Sequence, residues 1–152
     1  MPDSASLSQR RLRAWLRLLR LVRGTENRLR DHLRVNFDTT LPRFDVAAAL
    51  YRRNEPMKMS ELSKMLLVSN GNATTVVDRL EQEGKARRSA RKSDKRVVLV
   101  ELTDKGRRWF QEIAKAHEAE VDKAFSQLAE GDLDHLKALL KIAEGSRNDQ
   151  HG

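Results

Sequence analysis

The sequence predicts a mainly α-helical domain carrying one small β-hairpin, and three observations lead there. Apolar residues recur at three- and four-residue intervals along most of the 152 positions, which is the period of amphipathic helices. Only Lys85–Ser89 and Arg96–Leu102 alternate as strands do, on either side of a short polar and cationic turn. The length fits one domain, residues 1–152, able to bury roughly 70% of its unfolded surface.

Composition narrows the function. The chain holds 30 Lys and Arg against 22 Asp and Glu, a formal net charge of +8. Such a surplus favours a polyanionic partner, either nucleic acid or an anionic membrane. The charge is also segregated. Residues 85–96 hold seven basic residues and one acid, whereas residues 111–152 hold five basic residues and nine acids. With no cysteine, disulfides, thiolate metal sites and thiol nucleophiles are excluded. His32, His117, His135 and His151 show no metal-ligand spacing, and no glycine-rich phosphate loop occurs, so no metal, cofactor or enzymatic activity is expected. No secretory signal pattern follows Met1, and no apolar run approaches the roughly 20 residues that span a bilayer. A soluble cytoplasmic protein without a membrane partner is the expectation.

Taken in order, the first six residues read as frayed. A helix follows over 7–35, with Leu12, Trp15, Leu16, Leu19, Val22, Leu29 and Leu33 along one stripe and arginines on most other faces. Gly24 and Thr25 weaken its middle, where a bend is expected. So long a stripe needs other helices or a second subunit to cover it. After the break at Asn36–Thr40, Pro42 opens a second helix in its first turn, with Phe44, Ala47, Ala48 and Tyr51 as the packed face. Asn54-Glu55-Pro56 ends it.

The stretch 57–102 carries the function. An extended Met57–Met59 leads to Ser60 as the N-cap of a short helix, Glu61–Leu67, with Leu62, Met65 and Leu66 inward. Val68-Ser69-Asn70 turns the chain into a second helix running to Glu83, with Ala73, Val76, Val77 and Leu80 inward and Gly84 just past its end. Two helices around a tight polar turn, followed by a hairpin, make a winged helix-turn-helix. The outer face of the second helix presents Asn70, Asn72, Thr74, Thr75 and Arg79, with Ser69 just before it. Such residues either cap and solvate a helix start or read base edges in a major groove. The neighbouring hairpin favours reading. Arg87, Arg88, Arg91, Lys92, Lys95 and Arg96 can reach phosphates and the minor groove, and Asp94 is expected to pair with Arg96 or a nearby cation and fix the tip. Thr103 caps a further helix holding Trp109, Phe110, Ile113, Val121, Phe125 and Leu128, and Asp132 opens a last one. Residues 145–152 read as an unstructured tail.

The run of elements resembles the MarR family of bacterial transcriptional regulators over about residues 7–144. The resemblance is carried by Ser60-Glu61-Leu62, Val68–Thr74, Val77–Gly84, Ser93-Asp94-Lys95-Arg96 and Leu102–Gly106. It implies a homodimer built from helices at 7–35 and 104–144, each subunit offering its 57–102 unit to a pseudopalindrome in double-stranded DNA. It also implies that Asp94 orients Arg96 as the minor-groove contact. Lys85 departs from the family, which has an apolar residue there. Phe37–Asp45 together with Ser69–Asn72 looks like a branch that responds to aromatic carboxylates or their aryl-CoA thioesters. The candidate effector residues are then His32, Arg43 and Phe44, although Phe44 equally suits a core position and Arg43 a salt bridge. The function these readings support is a ligand-responsive repressor. A sequence-independent nucleic-acid binder is the alternative from charge alone.

Overall fold

The computed structural model describes residues 4–66 and 70–148, which form six helices and three short strands. Helix α1 (Leu7–Phe37) begins at a reciprocal cap, in which Ser6 Oγ accepts from Gln9 N and Gln9 Oε1 accepts from Ser6 N. It runs unbroken through Gly24 and Thr25, where the sequence suggests a bend. Two lost increments of propensity do not outweigh 31 residues of helical hydrogen bonding. Helix α2 (Leu41–Arg53) starts at the Thr40 cap with Pro42 in its first turn and stops at Asn54. Its packed face is wider than the sequence stripe. Val46, Ala49 and Leu50 are buried beside Phe44 and Ala47, because α2 lies among the other helices and the sheet.

Strand β1 (Met57–Lys58), helix α3 (Met59–Leu66) and helix α4 (Asn70–Gln82) follow. Helix α3 starts one residue before Ser60, which therefore sits inside its first turn instead of capping it. Its inward face also differs from the expected one. Leu62 is buried, but Met65 is exposed and Ser63 is buried in its place. The Ser63 hydroxyl donates to the carbonyls of Met59 and Ser60, so burial leaves no unpaired polar group. In α4 the inward stripe holds, with Ala73, Val77 and Leu80 buried and Val76 half-buried.

Strands β2 (Ala86–Arg91) and β3 (Asp94–Leu102) form an antiparallel hairpin that is tighter than the sequence suggests, turning at Lys92-Ser93. Strand β1 pairs with the other side of β3, giving the order β1-β3-β2. The register sets Ala86 opposite Leu102 and Arg88 opposite Val100. Alternation therefore sends Arg87 and Arg88 to opposite faces of the sheet.

Helices α5 (Asp104–Ala124) and α6 (Glu130–Asn148) complete the chain. Helix α6 includes residues 145–148, where the sequence suggests a tail; residues 149–152 lie outside the described ones. The core joins α1, α2, α3, α4, the sheet and α5 through Leu33, Leu50, Leu62, Leu80, Val100 and Ile113. Only the C-terminal end of the α1 stripe, Leu29 and Leu33, is buried. Leu12, Trp15, Leu16, Leu21 and Val22 stay exposed, as do Leu139, Leu140 and Ile142 of α6. No helix among the described residues is long and apolar enough to cross a membrane.

One glycine is sterically required. A Cβ on Gly106 would lie 1.9 Å from the Lys85 carbonyl oxygen, whereas one on Gly24 would meet nothing within 4 Å. Gly106→Ala should therefore lose about 1–3 kcal/mol by overpacking, and Gly24→Ala should be neutral or gain up to about 1 kcal/mol of helix propensity. Urea unfolding midpoints check both; equal effects would show that the close approach relaxes without cost.

Candidate nucleic-acid interface

Helix α4 and the β2–β3 tip are held side by side. The end of α4 is a left-handed glycine stop, with Gly84 at φ +72, Lys85 N donating to Leu80 O at 2.8 Å and Gly84 N to Glu81 O at 2.9 Å. This turns the chain straight into β2. On the outer face of α4, Asn72, Thr75 and Arg79 are exposed and Thr74 is half-buried. The Thr75 hydroxyl donates back to Gly71 O at 3.0 Å. Ser69 lies outside the described residues, and so does the side chain of Asn70.

The cations of the hairpin differ in how far they are engaged. Arg87 pairs with Glu101 across the strands at 2.7 Å. Arg88 turns inward to α4, where its guanidinium meets Asp78, Glu81 and the Thr74 carbonyl. At the tip, Lys92 and Lys95 are exposed and Arg91 is half-buried. The Arg96 side chain is 92% exposed, and its Nε lies 3.2 Å from Asp94 Oδ1. The Arg96 backbone N–H donates to the same oxygen at 3.0 Å. These two bonds, with Arg91 nearby, hold the Asp94 carboxyl below the usual carboxylate range. The tip thus presents cations on a turn whose one acid is already paired.

Lys85, which departs from the family pattern in the sequence, keeps a packing role. Its ammonium sits 4.1 Å from the Trp109 ring centroid and 2.7 Å from Glu83 Oε2. Glu83 also takes Arg43 at 3.5 Å and Arg79 at 3.3 Å. Partial burial of the Glu83 carboxyl pushes its pKa up, but these three cations outweigh it and the net shift is downward.

His32, Arg43 and Phe44 each have partners within the fold. Arg43 is engaged with Glu83. Phe44 belongs to the core, stacked on His117 with ring centroids 3.9 Å apart. His32 Nδ1 lies 3.7 Å from Glu120, which also binds Arg28 of α1 at 3.2 Å. Burial, with His32 nearby, lowers the His117 pKa. The most apolar enclosure beside α4 lies elsewhere. It is a cleft of about 320 Å³ lined by Pro42, Asp45 and Val46 of α2, Leu66 of α3, and Asn72, Ala73, Thr75 and Val76 of α4. Asp45 falls within the Phe37–Asp45 segment singled out in the sequence but not among the effector candidates, because an acid on a helix surface carries no signal of its own until a cleft forms beside it. Among the described residues no three His, Asp or Glu side chains gather as a metal site.

Residues 40–98 match the sequence model of the MarR family. The chain is 37% identical over 119 residues to YkoM of Bacillus subtilis, an uncharacterised HTH-type transcriptional regulator, covering 78% of this chain and 75% of that one. Among solved structures, AbsC of Streptomyces coelicolor, a MarR family transcriptional regulator, superposes with a TM-score of 0.81 at 28% identity over 96% of this chain and 99% of that one. Sco3205 from the same organism, solved in complex with DNA, shares the fold with a TM-score of 0.81 at 24% identity, over 95% of this chain and 92% of that one.

Asp45 gives the cleft a testable electrostatic property. Much of the residue is exposed, yet its carboxyl is pushed from 3.8 up to about 6 by partial burial and by Glu26, against the pull of Arg30. Between those values the folded chain holds a proton that the unfolded chain has released. Its contribution to stability is therefore fully present below 3.8 and lost as pH rises through about 6. Asp45→Asn should stabilise the protein more near pH about 7.5 than near pH about 5 by urea unfolding; an equal gain at both would mean the carboxyl titrates normally.

Proposed function

The chain belongs to the MarR family of winged helix-turn-helix regulators, which makes it a DNA-binding regulator of transcription and not an enzyme, and on that premise we propose that it works in the cytoplasm as a homodimeric, ligand-responsive repressor of a pseudopalindromic operator. The observation that carries this reading is the pairing of an uncharged polar face at the start of α4 with a cationic hairpin tip beside it. Asn72, Thr74 and Thr75, with Asn70 before them, suit hydrogen bonds to base edges. Arg91, Lys92 and Lys95 suit phosphates, and Arg96 suits the minor groove, with Asp94 holding it in place. The DNA bound by Sco3205 in its solved complex supports the same partner here.

Two features support the dimer. Leu12, Trp15, Leu16 and Val22 of α1 and Leu139, Leu140 and Ile142 of α6 are exposed at helical spacing, forming apolar stripes that a monomer leaves in water. The charges around them differ in sign, with Arg10, Arg11, Arg13, Arg17, Arg20 and Arg23 on α1 and nine acids against five basic residues in the segment 111–152. A two-fold pair would read half-sites about one helical turn apart, roughly 10 bp.

The effector is proposed to be an aromatic carboxylate or its CoA thioester. The apolar cleft beside α4 suits the aromatic ring of such a ligand, and Asn72 and Thr75 line it while also facing outward from α4. Among the described lining residues only Asp45 is ionisable, so the carboxylate would have to point out of the cleft toward a cation. A molecule seated there would alter the reading face directly, and so bind differently to the DNA-bound and free states.

Arg96→Ala should weaken binding to a selected operator duplex by about 1–3 kcal/mol in gel-shift titrations. Unchanged affinity would remove the wing from the interface, and equal binding to random and selected duplexes would favour the sequence-independent alternative. Leu16→Asp combined with Ile142→Asp should shift the protein from dimer to monomer in sedimentation at micromolar concentration. A wild-type protein that already sediments as a monomer would overturn the dimer.

A further inference from the structure

We propose that Arg88 is a positioning residue that braces the wing against the recognition helix α4, and that it does not neutralise a phosphate. The proposal rests on the reading of the DNA interface above and deepens it. Strand alternation places Arg88 on the sheet face with Ala86, toward α4, while Arg87 takes the opposite face and pairs with Glu101. Arg88 Nη2 donates to the Thr74 carbonyl at 3.3 Å and to Asp78 Oδ1, and Nη1 lies 3.6 Å from Glu81 Oε1. The Arg88 backbone N–H donates to Glu81 Oε2 at 3.0 Å. Thr74, Asp78 and Glu81 are spaced i, i+4, i+7 and so share one stripe of α4.

The chemistry of the site is specific to arginine. A planar fork with several fixed N–H donors can meet a carbonyl and two carboxylates at once, whereas a lysine ammonium is a point charge on a flexible stem. The charge count argues against a phosphate role. Two carboxylates surround one guanidinium, so the cluster carries no surplus positive charge to offer a polyanion. The cluster also accounts for Asp78 and Glu81 on a helix proposed to approach DNA, where unpaired acids would repel the backbone. The Arg88 side chain is 28% exposed, against 92% for Arg96 at the tip. Bracing fixes the angle between a helix in one groove and a hairpin in the next, which matters for a cognate site and little for random DNA.

The test is fluorescence anisotropy with the full chain, using two probes over a range of salt. One is a duplex that the wild-type protein selects from a random pool, and the other is a random-sequence duplex of equal length. Arg88→Ala should lose at least about tenfold for the selected duplex, retain binding to the random one, and keep the wild-type slope of log K against log salt. Lys92→Ala, a tip cation, should instead flatten the slope by roughly 0.9 for each phosphate it no longer neutralises. The isosteric variant Asp78→Asn with Glu81→Gln should reproduce the Arg88→Ala loss, and the triple variant should be no worse than either. Retained random-duplex binding shows that each variant is folded, and the isosteric variant carries the test if Arg88→Ala is not. A flattened slope in Arg88→Ala, or tighter binding when the two acids are neutralised, would overturn the proposal. Should the wild-type protein select no duplex, or Lys92→Ala leave the slope unchanged, the reading of the interface itself would fail instead.

Discussion

The first turn of α5 approaches the α4–β2 junction so closely that no side chain fits between them, and both halves of the molecule take their orientation from that approach. Gly106 stands against the Lys85 carbonyl, which accepts from Thr103 N at 3.0 Å. The Thr103 hydroxyl accepts from Gly106 N and donates to Gly84 O at 2.6 Å, so one side chain caps α5 and pins the end of α4. Lys105 Nζ reaches Glu83 O at 2.9 Å, engaging another carbonyl at that helix end. Each part of this knot belongs to a different element: the end of α4, the start of β2, the end of β3 and the start of α5. None of them can rotate without breaking these hydrogen bonds. The Lys85–Trp109 pair and the Glu83 cluster extend the same junction sideways to α2.

Around that junction the charges sort by distance from the core. Lys85, Arg87 and Arg88 meet Glu83, Glu101, Asp78 and Glu81 near the base of the hairpin. Beyond them, the Asp94 carboxylate is the only acid in 85–96 and is turned toward Arg96. The net positive potential of the segment is therefore concentrated at the tip. Charge summed along the sequence overstates how many cations face outward, since acids from α4 and β3 fold back onto the first three. Exposed tip cations act over roughly a Debye length, about 10 Å at moderate salt, which suits a groove but not a distant site.

What was legible in the sequence follows from the range of the forces involved. Most local signals held: the period of α4, the Gly84 stop, the Thr103 cap and the Asp94–Arg96 pairing are each written within a few residues, whereas the Ser60 cap and the bend at Gly24 gave way to continuous helix. Signals that depend on tertiary neighbours did not. Ser63 and Met65 are both compatible with a buried helix face, and only the position of α3 between β1 and α4 selects the serine. Period-two alternation predicts that Arg87 and Arg88 diverge, but not which of them meets α4. Lys85 looks like a departure from an apolar site because its Trp109 partner lies 24 residues away in α5. Arg43 and Phe44 have the plainer roles the sequence also allows, a salt bridge and a core ring, while the cleft at Asp45 is assembled from three helices, and of its lining only Pro42, Asp45 and Asn72 fall in the two segments the sequence singles out.

The long first helix completes the mechanical picture. At about 1.5 Å per residue, α1 extends some way beyond the body that buries Leu29 and Leu33, and it packs along α5. Helix α4 and the hairpin are tied to the beginning of α5 by the knot, so whatever fixes α5 also fixes them. In a pair of chains joined through the exposed stripes of α1 and α6, the separation of the two α4 helices would be set by α1, α5 and the 125–129 connection that leads to α6. A ligand in the cleft lined by α2 and α4 would then have two routes to the DNA. It could change the side chains of Asn72 and Thr75 in place, or it could shift α4 relative to α2, working against the Arg43–Glu83 pair. The second route must also strain the α4–β2–α5 knot, whereas the first leaves it intact, and for a ligand of modest affinity the unstrained route is the one within energetic reach.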